Sequence, residues 1–297
     1  MPDDRLDELI TEARRAGANY ETRSTLELVR LMNEADATVA AGVGEAAGAI
    51  ARVIDRVVER VGAGGRLLYA GAGTSGRLAA LDAVECAATF SSDRVVALLA
   101  GAGLTDALAQ EGAEDDADAG ARDVRGAGVS AADVLIGVSA SGRTPYVLGA
   151  VRAGAASRAR TACVVCTAGS ELARVVDDAI EVVVGPEFVA GSTRLKAGTA
   201  QKLVLNTIST VAMIKLGKTY DDLMVDVAPT NEKLRARARR AVLQATGAPP
   251  DAVDAAFAAA AENPKIAIVS LLAGIDAETA RTRLDDARGN IRVALGE

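Results

Sequence analysis

The chain has no histidine and no tryptophan, and only 2% of its residues are aromatic. The missing histidine excludes the commonest general base, the commonest metal ligand and every Ser-His or Cys-His nucleophile arrangement. Acid–base chemistry is left to carboxylates, lysine or tyrosine. Three cysteines, Cys86, Cys163 and Cys166, are too few for a disulfide framework and have no zinc-type spacing. Cys163-Val-Val-Cys166 has redox-motif spacing but falls inside an apolar, β-like run rather than at a helix start, so it reads as core packing. No uncharged apolar run approaches the roughly 20 residues of a membrane helix. The opening Met1-Pro-Asp-Asp-Arg-Leu-Asp-Glu8 lacks the basic start and apolar middle of a signal peptide, so a cytoplasmic protein with no membrane partner is expected. Lysine is scarce beside arginine. None precedes Lys196, and four stand between 196 and 218, a hint that compact ammonium groups are needed there. A net charge of −7 argues against a nucleic-acid partner, and the dense basic run Arg235-Ala-Arg-Ala-Arg-Arg240 reads as a solvated helix face.

Two related stretches stand out against these absences. Gly71-Ala-Gly73-Thr74-Ser75-Gly-Arg77 and Gly137-Val-Ser139-Ala-Ser141-Gly-Arg143 each follow an apolar run and present hydroxyl residues, glycine and then arginine. Glycine lets backbone N–H groups approach an anion, a following helix N-terminus adds a favourable dipole, and hydroxyls supply adjustable donors. The pair reads as two phosphate cradles. Gly71 to Gly76 also satisfies the dinucleotide fingerprint G-x-G-x-x-G, but the second strand ends Leu98-Leu-Ala-Gly101 without the carboxylate that would hold a ribose. Neither stretch continues into the Gly-Lys-Ser/Thr of a Walker loop.

The pattern predicts a helical segment over 24–61, opened by the capping box Ser24-Thr-Leu-Glu27. Five short apolar runs follow, mostly β-branched, at 66–70, 94–99, 134–138, 161–167 and 180–184, separated by helical stretches. Such alternation predicts an open α/β sandwich with a five-stranded parallel sheet. In a flavodoxin-like strand order, strands one and three lie side by side where the winding reverses, so both cradles would face one ligand. Three segments are expected: N-terminal helices over 1–60, an α/β domain over 61–233 and a small three-helix, UBA-like appendage over 234–297. The helix opening after Gly191 carries Ser192, Arg194 and Lys196 in or near its first turn, residues suited to an anionic or hydroxylated ligand.

Carboxylates must carry the chemistry. Glu85 lies in the largely apolar Leu81-Asp-Ala-Val-Glu-Cys-Ala-Ala-Thr-Phe90, where partial burial would keep a carboxyl protonated as a general acid; Asp82 is the more natural residue to face water. Glu111 and Glu114 share one helical face, and spacing alone does not choose between them.

These residues resemble a known family. Gly71-Ala-Gly-Thr-Ser-Gly-Arg-Leu78, Asp82-Ala-Val-Glu-Cys86, Glu111-Gly-Ala-Glu-Asp115, Ser139-Ala-Ser-Gly-Arg-Thr-Pro-Tyr146, the run from Gly191 to Asn206, Leu223-Met-Val-Asp-Val227 and Thr230-Asn-Glu-Lys233 are similar to N-acetylmuramic acid 6-phosphate etherases, which are sugar isomerase (SIS) domain proteins. The resemblance runs from about Ser24 to the end of the chain. It implies cleavage of a D-lactyl ether to N-acetylglucosamine 6-phosphate and D-lactate in cell-wall sugar recycling, with no cofactor and no metal. Glu85 would protonate the departing lactate oxygen, and Glu114 would share proton transfer at C2 and water addition. Gly73, Thr74, Ser75, Ser139, Ser141 and Thr144, with Ser192 and Lys196, would hold a phosphorylated amino sugar. A homodimer is the family expectation. Ala87-Ala88 replaces the family's usual Pro-Pro, and Cys166-Thr-Ala-Gly169 replaces an Asn-Pro-Gly type turn. Two other readings stay open: an aldose–ketose isomerase with Glu187 as base, and a non-enzymatic sugar-phosphate sensor.

Overall fold

A computed structural model describes residues 9–101, 112–227 and 231–297. Glu111 and Thr230, both named above, lie outside these residues. The chain divides into two compact units, one comprising Met1–Val84 with Arg94–Ser209, the other Glu85–Asp93 with Thr210–Glu297. The division falls inside a helix, upstream of the boundary expected at 233.

In the first unit, α1 (Thr25–Asp36) starts at the capping box: Glu27 N donates to Ser24 Oγ at 3.4 Å, and Ser24 N donates to Glu27 Oε2 at 2.8 Å. The expected single helix over 24–61 is instead three, with α2 at Val39–Glu45 and α3 at Ala47–Gly62. Thr38 Oγ1 donates back to Ala35 O at 2.8 Å where α1 ends, and Gly42, Gly44 and Gly48 weaken the stretch that follows. The last helix recovers a clear apolar stripe of buried Ile50, Val53, Ile54 and Val57.

β1 (Leu67–Gly71), α4 (Gly73–Phe90), β2 (Val95–Leu99), α5 (Ala117–Gly126), β3 (Val134–Val138), α6 (Pro145–Ala156), β4 (Arg160–Val165), α7 (Glu171–Val175), β5 (Asp178–Glu181) and α8 (Lys196–Lys215) follow. The sheet is parallel throughout, in the order β2-β1-β3-β4-β5, as its sequence pattern predicts. Every residue of β1 and β3 is buried, as a parallel sheet covered on both faces requires. β5 begins two residues earlier than expected, because Asp178 pairs with Ala162, and ends ahead of Gly185-Pro186. Cys163 and Cys166 are core residues, and burial pushes each thiol up to about 12, far from the reactive range.

The second unit holds a small hairpin, β6 (Thr219–Tyr220) and β7 (Leu223–Met224), and five helices: α9 (Glu232–Thr246), α10 (Pro250–Ala259), α11 (Pro264–Ala273), α12 (Ala277–Asp286) and α13 (Ile291–Leu295). The sequence reading has three helices here. The extra starts come from side-chain caps, with Asn263, Asp276 and Asn290 each accepting a backbone N–H three residues on. Val242, Val253, Phe257, Ile266, Ile268, Leu284 and Ile291 form its core. Among the described residues no single helix is long and apolar enough to cross a membrane.

Candidate functional site

The two hydroxyl-bearing loops leave adjacent strands at one level, since Gly71 on β1 pairs with Val138 on β3. The first loop turns at once into α4 through Gly73, whose φ of +52° lies in the left-handed region. Its return is tight: a Cβ on Gly76 would sit 2.6 Å from Gly71 O, and one on Gly71 would sit 2.8 Å from Gly76 Cα. No larger side chain fits either position without moving backbone. The second loop is held by its own hydroxyls. Ser139 Oγ lies 2.8 Å from Thr144 Oγ1 and accepts from Gly142 N at 3.0 Å, and Ser141 Oγ accepts from Arg143 N at 3.2 Å. Thr144 then stands at the N-cap of α6 with Pro145 in the first turn. Two helix N-termini therefore open toward the carboxyl ends of the central strands, a favourable place for an anion.

A cavity of about 390 Å³ lies between these loops. Of the residues expected at the site, Gly73, Thr74, Ser75, Ser139, Ser141, Thr144 and Glu114 line it. Ser192, Lys196 and Glu85 do not, although Gly191 and Thr193 do. Lys196 is buried, with its Nζ donating to Val184 O and its backbone N to Glu187 Oε2 at 2.9 Å. Burial holds its ammonium below the ordinary lysine value, opposed by the neighbouring Glu187. Fully buried Glu187 also accepts from Ala197 N at 2.9 Å, so its two oxygens tie down the start of α8. A carboxylate so engaged and absent from the cavity is no base for a sugar carbon, and the isomerase reading loses its residue.

The expected roles of Asp82 and Glu85 are reversed in burial. Asp82 is 3% exposed and accepts from Tyr69 Oη at 3.0 Å, Asn206 Nδ2 at 2.7 Å and Ser209 Oγ at 3.0 Å. Three donors satisfy a carboxylate that would otherwise be costly to bury. Glu85, three residues further along α4, is exposed. Ala79, Asp82, Ala83 and Cys86 make the inward face of the helix, and the apolar flavour of the segment around Glu85 reflects that face together with exposed Leu81 and Val84.

Glu114 is located by packing behind it. It sits in a short 3-10 turn (Ala113–Asp115) that runs into α5 through Asp116, whose Oδ1 accepts from Ala119 N at 2.8 Å. α5 crosses α6 in direct backbone contact, since a Cβ on Gly120 would meet Tyr146 O at 2.0 Å and one on Gly149 would meet Ala117 O at 1.9 Å. Tyr146 Oη donates to Asp123 Oδ2 at 2.6 Å across the same crossing. The turn bearing Glu114 and the loop bearing Ser139 to Thr144 thus lead into two helices locked together.

Sequence reasoning missed part of the lining. Leu9, Thr11 and Glu12, from a segment with no motif, reach the cavity, as do Asp115 and Thr193. Gly191 N donates to Thr11 O at 2.9 Å, which joins this N-terminal segment to the stretch before α8. Among the described residues, two buried side-chain polar atoms have no hydrogen-bond partner, Thr11 Oγ1 and Gln201 Nε2. Gln201 Oε1 accepts from Ser75 Oγ at 2.9 Å, so both belong to residues at or beside the cavity. Unmet buried groups cost about 1–3 kcal/mol each and are what a polar ligand satisfies.

Comparison with known proteins bears on this geometry. The glucokinase regulatory protein N-terminal SIS domain family matches residues 49–155. The chain is 53% identical over 298 residues to an N-acetylmuramic acid 6-phosphate etherase of Rubrobacter xylanophilus, covering 99% of this chain and 98% of that protein. It is 52% identical over 293 residues to the protein of the same name from Streptomyces avermitilis, covering 98% and 94%. Among solved structures, a phosphoheptose isomerase from Francisella tularensis superimposes with a TM-score of 0.51 at 18% identity, over 64% of this chain and 98% of that one, a likeness of fold. The α/β core is accordingly an SIS domain, the open sandwich that the alternating pattern predicts.

Proposed function

The chain belongs to the N-acetylmuramic acid 6-phosphate etherase family, and on that premise we propose that its cavity cleaves the D-lactyl ether of N-acetylmuramic acid 6-phosphate by elimination and hydration. The enzyme is a carbon–oxygen lyase of cell-wall sugar recycling. The observation that carries the mechanistic reading is the cavity where Ser75, Ser139, Ser141 and Thr144 stand together with Glu114. The 6-phosphate is held by these hydroxyls, the N-termini of α4 and α6, and Gly73 and Thr74. In the opened sugar, C2 lies beside the C1 aldehyde. A base removes the C2 proton, the electron pair becomes the C2–C3 double bond, and the C3–O bond breaks. Glu85 gives its proton to the departing lactate oxygen. Water then adds at C3 and C2 regains a proton, with Glu114 serving both proton transfers. Each positioned acid or base of this kind contributes about 10²- to 10⁴-fold in rate.

Glu85 is exposed in the single chain and outside the cavity lining, so in this reading it serves the site of a second copy. Leu81 and Val84, 45% and 65% exposed beside it on α4, support a homodimer that covers this face. Ser192 and Lys196 act through the stretch they anchor. The compartment is the cytoplasm, where charge retains phosphorylated sugars behind an apolar membrane.

A coupled D-lactate assay tests the proposal. Glu114→Gln and Glu85→Gln each lose at least about 10²-fold in kcat with substrate binding retained. Mixing the two inactive variants restores about a quarter of the wild-type sites, because half the dimers are mixed and each holds one intact site. Unchanged turnover in either single variant removes that residue from the mechanism, and absence of rescue on mixing returns both acids to one chain.

A further inference from the structure

The second unit contains a concavity of its own, about 240 Å³ in volume, near the hairpin and the ends of α11 and α12. It is lined by four cationic side chains, Lys218, Lys265, Arg281 and Arg288, against two carboxylates, Asp226 and Asp285. In a chain of net charge −7 this excess is a local inversion of sign. The arrangement of the lysines is unusual for this chain. Two of its few lysines meet on one carboxylate, with Lys265 Nζ at 2.7 Å and Lys218 Nζ at 2.9 Å from the same Asp226 Oδ2. Lys265 is 8% exposed and also donates to Gly289 O at 2.9 Å. One carboxylate neutralises one ammonium, which leaves a positive charge in a partly dehydrated place. Burial holds Lys265 below the ordinary lysine value, and Lys218 adds repulsion in the same direction. Arg281 reaches only exposed Glu278 at 3.9 Å, while no ion pair or hydrogen bond of its side chain engages Arg288 among the described residues.

We propose that this concavity is a second anion site, which takes the phosphate group of a small phosphorylated molecule between Lys218, Lys265 and Arg288, with Arg281 at its rim. An oxyanion with two charges supplies the counter-charge that Asp226 and Asp285 together leave unmet among four cations, and it accepts from the remaining ammonium protons and the guanidinium fork. Asn263 caps α11 here, so the positive end of that helix's dipole adds the same sign of potential. The volume lies below the roughly 300–1,000 Å³ of sites for drug-sized ligands, which suits inorganic phosphate or a phosphomonoester headgroup rather than a nucleotide. Its lining shares no residue with that of the etherase cavity.

The scarcity of lysine makes the test specific. Lysine acylation of the full chain, read by mass spectrometry at constant ionic strength, compares chloride, inorganic phosphate and N-acetylglucosamine 6-phosphate. Labelling of Lys218 falls about tenfold when phosphate exceeds its dissociation constant tenfold, while exposed Lys202, Lys215 and Lys233 are unchanged. Protection by both anions assigns the site to the phosphate group, and protection by the phosphosugar alone extends it to the sugar. In Arg281→Gln/Arg288→Asn, with asparagine chosen because residue 288 has a φ of +52°, protection is lost while D-lactate release persists. Lys218 protected no more than the three exposed lysines by either anion overturns the proposal, as does protection undiminished in the folded double variant.

Discussion

The two loops that bracket the cavity reach the same level of the sheet by opposite means. The first, from Gly71 to Gly76, is shaped by missing side chains: its backbone folds back so closely that a single methyl at either glycine meets main-chain atoms. The second, from Ser139 to Thr144, is shaped by side chains that are present, whose hydroxyls bond to one another and to the backbone. The first therefore depends on space, and nothing polar need change for it to fail. The second depends on hydrogen bonds, so it degrades one bond at a time. Under the proposed function the same hydroxyls hold both the loop and the ligand, whereas in the first loop glycine shapes the turn and Ser75 is left for the ligand.

This contrast can be broken at its strongest point by Gly76→Ala. The new methyl has no room beside Gly71 O, and it also meets the Leu99 side chain. Overpacking of this kind costs about 1–3 kcal/mol or more, and a backbone shift of the loop is expected to remove D-lactate release almost entirely, with a lower thermal midpoint. Ser139→Ala is expected to fall in between. It strips the acceptor from the buried N–H of Gly142 and the partner from Thr144, for a stability loss of about 1–3 kcal/mol. KM should rise more than kcat falls, since phosphate binding is common to ground and transition states. Ser141→Ala is the mildest, because the Arg143 N–H it satisfies is only part-buried: KM rises by about fivefold or less, with an unchanged melting temperature. Equal damage from Gly76→Ala and Ser141→Ala would erase the distinction between a loop held by space and one held by bonds.

Local patterns made the sheet legible from sequence. The strands are short runs between helical stretches, rich in β-branched residues in β2, β3 and β4 but not in β1, and the two glycine-hydroxyl turns meet because β1 and β3 are neighbours. The six loop residues that line the cavity stand in or beside the two motifs, whereas Glu114 was singled out from Glu111 only by the family resemblance. The misreadings occur where the answer depends on distant chain. Asp82 looks like a surface residue until Tyr69, Asn206 and Ser209 are brought around it. Lys196 sits in a run that suggests ligand binding, yet Val184 and Glu187 claim its groups. Thr11 and Glu12 carry no local signal, and a backbone hydrogen bond from Gly191 N to Thr11 O joins their 3-10 turn to distant chain at the cavity. The extra helix starts in the second unit were visible as Asn and Asp caps, but short connecting turns hid them within longer apolar periodicity.

The glycine crossing between α5 and α6 has a consequence for how this enzyme can vary. Because bare backbone rests on bare backbone at Gly120 and Gly149, the turn bearing Glu114 and the loop bearing Ser139 to Thr144 lead into one rigid chassis. In the proposed site the gap between Glu114 and the phosphate is a fixed gauge, inherited from two positions outside the cavity lining. A longer or shorter substrate would have to be met by altering the cavity walls, because the ruler itself has no slack.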